Sequence, residues 1–425
     1  MQEVLTSSQW LVLAVFVVGY LCIIFEHLIG INKTTSALLT ATACWWAQFA
    51  GPSPLQTDLV TFDMGLVATA QIVFFLLGAL AIVETIQVHG GLNIVGKLMN
   101  FQGKKALLWA VGFIAFFLSS ILDNLTTTVV MIMLIRKLVE DRNDRLIFGG
   151  VIVIAANAGG AWTPIGDVTT TMLWMGHQLS TFTMLKSLFV PSVGCLVVAL
   201  LIASRSLSGT MPVLSQEKDK EQPHARLILF CGLGALVGVP VVRYITDLPP
   251  FMGILTGMAF MWLITDLLHR GHPDRDHLRF PAILPRVDVM SILFFLGILM
   301  SVEVLGIAGV LQYFAHRLDE LFASKEVIAV IIGVISSIVD NVPLVASCMG
   351  MYDLAVYPTD SSFWTLIAYA AGTGGSLLII GSAAGVAFMG LERVDFFAYL
   401  KKSSLPALAG YIAGIALYAL QMALR

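Results

Sequence analysis

Ser119-Ser120-Ile121-Leu122-Asp123-Asn124 recurs near the far end of the chain as Ser336-Ser337-Ile338-Val339-Asp340-Asn341, and both copies sit inside long apolar sequence of helical character. A carboxylate at membrane depth costs roughly 2.5 to 3.5 kcal/mol on insertion scales. Two of them at matching positions of a duplicated unit therefore point to a transport site.

The membrane itself follows from composition. Of 425 residues, 58% are hydrophobic and 12% charged, the mean hydropathy is +0.88, and apolar runs of about 17 to 25 residues recur from end to end. The fold class expected is an all-α polytopic membrane protein, with the lipid bilayer as its surroundings. A net charge of −3 and the lack of a basic stretch with interleaved aromatics give no sign of nucleic acid. The segment from Met1 to Gln9 carries no Lys or Arg, and the apolar run from Trp10 to Ile31 is too long for a cleaved signal, so it is expected to remain as the first span. Five cysteines (Cys22, Cys44, Cys195, Cys231, Cys348) lie singly in apolar sequence and read as small packing residues.

Lys and Arg accumulate in cytoplasmic loops. Here 19 of the 24 fall in alternate loops: Lys33, Lys97 to Lys105, Arg136 to Arg145, Arg205 to Arg226, Arg270 to Arg286 and Arg393 to Lys402. One topology, with the N-terminus and C-terminus both outside, accommodates all of them. Two segments do not fit simple spans. Only 30 residues separate Lys105 from Arg136, too few for two crossings, so this segment is expected to dip in and turn back at Asp123-Asn124. In the second half, 27 residues between Lys325 and Asp353 do the same around Asp340-Asn341, with Pro343 opposing helix continuation past the tip. Such re-entrant backbone survives only when buried in protein or lining a wet cavity.

The duplication extends further. Phe75-x-x-Gly78-x5-Glu84-x5-Gly90 matches Phe294-x-x-Gly297-x5-Glu303-x5-Gly309, and Asn157-Ala158-Gly159-Gly160-x5-Gly166 matches Gly372-Thr373-Gly374-Gly375-x5-Gly381. Since the first hairpin enters from inside and the second from outside, the halves form two inverted-topology repeats, each with a re-entrant helical hairpin and a broken transmembrane helix. The division expected is N-terminal scaffold helices over 1-62, repeat 1 over 63-205 with its broken helix around 157-167, and a cytoplasmic linker over 206-224. Further scaffold helices follow over 225-286, then repeat 2 over 287-392 with its broken helix around 372-382, and a C-terminal helix over 393-425.

Mid-span glycines and a proline leave carbonyls and N–H groups without helical partners, and these can coordinate ions. A hard cation such as sodium prefers several oxygens, which Ser119, Asp123, Asn124, Asn157, Asp167, Thr169 and Thr170 supply. In the second repeat Ser336, Asp340, Asn341, Ser376 and Ser382 form a second site or a coupling set. Glu84 and Glu303 are candidate proton-pathway groups, although glutamates near span ends also reach the interface. Ser120, Thr127, Thr128, Thr171 and Ser337 equally suit hydrogen bonds between helices. A buried ion pair is the bland reading of Asp123 and Asp340, but neither hairpin contains a base. The histidines at 269, 272 and 277 lie in a basic loop and are expected to be solvated. Gly232-x-Gly234 reads as close packing.

The S-S-I-x-D-N hairpins, the run N-A-G-G-A-W-T-P-I-G-D-V-T-T-T-M-L-W at 157 to 174 and the run G-T-G-G-S-L-L-I-I-G-S-A-A-G at 372 to 385 resemble the NhaD-type sodium/proton antiporters. That family belongs to the ion transporter superfamily, which also holds arsenite pumps and dicarboxylate transporters. The resemblance implies exchange of cytoplasmic sodium or lithium for external protons, no cofactor, a homodimer of scaffold and mobile transport domains, and a bacterial-type inner membrane. It also implies functional roles for Asp123, Asn124, Asn157, Asp167, Thr169, Thr170, Asp340 and Asn341. The second half departs from the first: Asn157, Pro164, Asp167 and Thr169 correspond to Gly372, Ile379, Ser382 and Ala384. In the mechanism expected, cation and proton compete for the same carboxylates, because desolvation raises a carboxylate's proton affinity until a cation supplies compensating charge. An oxyanion or carboxylate transporter on the same fold is the alternative, set against by acids at both tips. A membrane-embedded protease lacks its motifs, and a channel would carry ions without exchange.

Overall fold

A computed structural model describes residues 5–50, 55–93, 99, 101–210, 222–322 and 324–424; Lys97 and most of the expected 206-224 linker fall outside them. Eight helices among the described residues are long and apolar enough to cross a membrane, and they begin with Ser7–Ile24 and end with Ser404–Ala423. No strand occurs among the described residues, only one isolated bridge between Gly103 and Thr210. This is the polytopic all-α protein that the apolar runs require. The longest helix, Leu55–Val88, runs through residues 62 and 63 without interruption.

Each half seats a flanking helix on a repeated glycine. A Cβ at Gly78, in Leu55–Val88, would stand 3.1 Å from Ile254 of the helix Pro250–His269; one at Gly297, in Val289–Ile307, would stand 2.7 Å from the Ala37 backbone of Lys33–Phe49. Hydrogen at these positions lets the helices approach closely, which is how apolar helices gain packing energy where no hydrophobic effect acts between them.

The first hairpin has arms Lys104–Leu122 and Asn124–Leu138, and the second has arms Lys325–Ile335 and Asn341–Met351. Pro343 does not oppose the second arm. It lies in that helix's first turn, where a backbone N–H has no intrahelical acceptor in any case. The first broken helix runs Arg142–Gly160 and resumes as Val168–Met175; the second runs Ser362–Gly374 and resumes as Ala383–Glu392. Asn157 and both glycines after it are still helical, so the first interruption begins only after Gly160.

The broken helices lie antiparallel. At one edge Arg145, near the start of the first, pairs with Glu392 at the end of the second at 3.1 Å, and Arg136 meets the same carboxylate at 2.9 Å. Lys104 pairs there with Asp144 at 2.6 Å, so both ends of the first hairpin share this edge, as a segment that turns back requires. At the other edge the end of the first broken helix meets the start of the second: Asp360 accepts from the Ser180 N–H and hydroxyl, each at 2.7 Å.

His269 is not solvated. It is fully buried with His89, Nε2 to Nε2 at 3.1 Å, where the helices Leu55–Val88 and Pro250–His269 end. His89 Nδ1 faces the Thr85 carbonyl at 2.8 Å and must donate, so its Nε2 accepts from His269, whose own Nδ1 has no partner. Burial holds His89 below its ordinary value of 6.5, and the nearby His277 and His224 add to this. The unfolded chain therefore binds that proton more readily than the folded one. The stability contributed is complete above about pH 6.5 and is lost as the pH falls below it. Thermal unfolding in detergent is expected to show midpoints that decline as pH drops from about 7 to about 5.5, and His89→Gln is expected to flatten the decline.

Candidate functional site

The two hairpin tips press against the two helix breaks through matched contacts. Ser119 Oγ donates to the Ala156 carbonyl at 2.7 Å, and Ser336 Oγ donates to that of Ala371 at 2.8 Å. A Cβ on Gly166 would meet Ser119 O at 2.8 Å, and one on Gly381 would meet Ser336 O at 2.6 Å. Ser120 and Ser337 each bond back to a carbonyl three residues earlier at 2.7 Å. Ser119 and Ser336 thus fasten tips to breaks, and Thr170 does similar work, donating to Asp167 O at 2.9 Å and Gly160 O at 3.3 Å. The structure engages all three hydroxyls with backbone inside the protein.

Four helices begin at this meeting point, and their first N–H groups have no water to turn to. Asp123 caps Asn124–Leu138, accepting from the Thr126 N–H and hydroxyl, each at 2.8 Å. Asp167 caps Val168–Met175 through the Thr169 N–H at 3.0 Å. Asp340 caps Asn341–Met351 through the Val342 N–H at 3.2 Å, and Ser382 caps Ala383–Glu392 through the Gly385 N–H at 3.3 Å. The tips differ in backbone. Asp123 has φ 85°, a region that strains an L residue, whereas Asp340 has an ordinary φ of −48°.

The amide side chains then join the halves. Asn124 Nδ2 donates to Asn157 Oδ1 at 2.9 Å and to Asp167 Oδ2 at 3.0 Å. Asn157 Nδ2 donates to Ser376 and Ser382, each at 2.9 Å, and Asn341 Nδ2 reaches Asp167 Oδ2 at 3.4 Å. Asn124, Asn157, Asp167, Thr169, Asn341, Ser376 and Ser382 are all buried. Six residues far apart in sequence are held by one connected network, with Asp167 and Asn157 at its centre.

Beside the network lies a cavity of about 220 Å³, room for a cation with several waters. Asp123, Asn124, Asp167, Asp340 and Asn341 reach its wall, as do the repeated Phe75 and Phe294. Glu84 and Glu303 do not, and Glu303 packs against Gly65. Three wall residues escape a reading of the sequence. Asp288, exposed, caps Val289–Ile307 through Ser291, which also lines the cavity. Neither sits in a repeated motif; the cap pattern of an acid followed three residues later by serine was the available signal. Lys33 comes from the helix Lys33–Phe49, outside both hairpins, and lines the wall with Asp340, over the Phe294 ring that packs in one cluster with Val342. A base is therefore near one tip aspartate after all, supplied by another element. Among the described residues no three His, Cys, Asp or Glu converge as a metal cluster. An ion here would meet single carboxylate, amide and backbone oxygens.

A model of the citrate transporter family (CitMHS) matches residues 20–372. Sodium/proton antiporter 1 of Arabidopsis thaliana is 51% identical over 95% of this chain and 71% of its own length, and sodium/proton antiporter 2 of the same plant is 48% identical over 95% and 97%. The Na(+)/H(+) antiporter NhaD of Alkalimonas amylolytica is 31% identical over 97% of this chain and 91% of its own. The solved Alcanivorax borkumensis YdaH transporter has the same fold, with a TM-score of 0.59 at 13% identity over 88% of this chain and 90% of that one.

Asn157→Ala would break the bonds to Asn124, Ser376 and Ser382 and leave the buried Ser376 hydroxyl unpaired, a cost of about 1 to 3 kcal/mol for that group alone, whereas Ser119→Ala deletes one bond worth about 1 kcal/mol. Thermal unfolding in detergent is expected to rank the midpoints wild type, then Ser119→Ala, then Asn157→Ala.

Proposed function

The chain belongs to the citrate transporter family and, within it, to the NhaD-type sodium/proton antiporters, and from that membership we propose that it exchanges sodium or lithium for protons across its membrane. It is a multi-pass transporter and not an enzyme. The observation that carries the substrate assignment is the identity of the caps. Helix N-termini attract anions through their dipoles and free N–H groups. At three of the four helix starts where the tips meet the breaks the chain supplies that anion itself, as Asp123, Asp167 and Asp340. A frame able to receive a carboxylate substrate is thereby already filled by carboxylates, and a cation or protons complete it. Citrate would face those acids and Asp288 with Lys33 as the sole base among the described wall residues.

Asp123 and Asp167 serve as the acids that cation and proton share, with Asn124, Asn157 and Thr169 as oxygen donors or positioning groups. Asp340 and Asn341 couple the second tip to Asp167. Ser376 and Ser382 orient Asn157, and Ser119, Thr170 and Ser336 hold the backbone from which carbonyls face the ion. Glu84 and Glu303 lie off the cavity wall, and in this reading they serve the path of the proton and not the cation. Exchange requires no separate gate chemistry, since binding of one ligand expels the other. The antiparallel broken helices support two inverted repeats, and alternating access follows as one bundle moves against another about the tips. The homodimer, the bacterial-type inner membrane and the external termini complete this reading; the grouping of Lys104, Arg136 and Arg145 at one edge supports the orientation.

The test is proton movement in proteoliposomes with a preset pH gradient, to which sodium, lithium, potassium and citrate are added in turn. Sodium or lithium is expected to dissipate the gradient in the wild type, and Asp123→Asn and Asp167→Asn are each expected to reduce the rate at least a hundredfold. Citrate uptake without cation-driven proton movement would overturn the proposal.

A further inference from the structure

Lys33 has no part in the exchange as drawn above, yet it is the one Lys or Arg among the described residues of the cavity wall, facing Asp123, Asp167, Asp288 and Asp340. We infer that Lys33 is a built-in cation that serves the Asp340 side of the cavity, leaving the Asp123–Asp167 side as the only place for a transported ion; the inference rests on the antiport reading.

Three observations support it. First, Lys33 is held in place. It is the first residue of its helix, whose start is capped by Asn32 through the Thr34 N–H at 2.8 Å; Thr34 Oγ1 donates to Met290 O at 3.1 Å, and Gly297 lets the two helices touch. Second, its charge is not used up. No carboxylate lies within ion-pair distance of Lys33 among the described residues, and Nζ sits 4.7 Å from the centre of the Phe294 ring, a perch that attracts an ammonium without neutralising it. Asp340 shares the cavity wall with that ammonium, Phe294 packs in one cluster with the Val342 beside the tip, and among the described residues the Asp340 carboxylate bonds only to the Val342 N–H. Third, the arrangement is one-sided. Phe294 and Phe75 are repeat counterparts and both line the cavity, but no base of the cavity wall stands over Phe75. The helix seated on the first repeat, Pro250–His269, brings none to the wall, whereas the helix seated on the second brings Lys33. A flexible four-carbon stem lets the ammonium move between the ring and Asp340 as the neighbouring charge changes, so it acts as a tethered stand-in for a second ion.

Removing this charge should make the cavity more attractive to sodium and open the Asp340 side to it. In proteoliposomes Lys33→Met is expected to lower the half-saturating sodium concentration roughly tenfold, the order expected for losing a unit charge that lines the same cavity at intermediate dielectric, and to steepen the sodium dependence. Lys33→Arg, which keeps the charge, is expected to restore the wild-type dependence, a result that mere packing would not give. The same shift should appear without transport, as stabilisation of detergent-purified protein by sodium chloride over choline chloride. If Lys33→Met fails to fold, Lys33→Gln is read in its place. An unchanged or raised half-saturating concentration in a folded neutral variant, with equal stabilisation by sodium, overturns the inference. Failure of the wild type itself to move protons with sodium overturns the antiport reading instead.

Discussion

A helix that stops inside a bilayer must find partners for its first N–H groups within the protein, because no water is there to take them. This chain stops and restarts helices at four places near its centre, and at each restart a side chain supplies the acceptor. Three of the four acceptors are aspartates. The requirement of backbone satisfaction and the presence of acids in the cavity are thus one fact seen from two sides. A cap of serine or asparagine would satisfy the N–H groups as well. Choosing aspartate adds a charge, and in the exchange proposed above that charge is what a cation and a proton contest.

The same economy appears in the amide residues. Asn124 follows one capping acid and reaches another, and Asn341 follows the second tip and reaches the same one. Asp167 therefore senses both hairpins through a bond apiece, and Asn157 ties the first break to serines of the second. Networks of this kind act as units, so that the loss of a single member is felt at all the others. A displacement of either hairpin has a direct route to the central carboxylate, which is the coupling that the alternating access proposed above would use.

Symmetry frames the cavity but does not govern its charge. The serine staples, the glycines that face the tips and the paired phenylalanines recur nearly atom for atom. The strained φ of Asp123, the serine in place of aspartate at the second break, and Lys33 over Phe294 do not recur. Membership of a family described by citrate transport is intelligible on these terms. One scaffold of converging helix ends can receive an anion or, when it carries its own anions, a cation.

Most of what was legible in the sequence lay in its repetition and its hydropathy. Apolar length dictates helices across a bilayer, since no other open structure satisfies the backbone there, and two copies of S-S-I-x-D-N locate the tips because an acid in such surroundings is too costly to be incidental. The tip acids Asp123 and Asp340 followed from that cost, and Asp167 from its place directly after the run of glycines and proline that breaks the helix. The sequence could not reveal that Ser119, Thr170 and Ser336 spend their hydroxyls on backbone, that Glu84 and Glu303 stand off the cavity, that His269 is buried against His89, or that Lys33 and Asp288 line the wall. Each of these depends on which helix faces which. Helix existence is a local matter of chain and solvent, whereas the pairing of faces is settled by side-chain packing between segments hundreds of residues apart, and only the tertiary structure decides it.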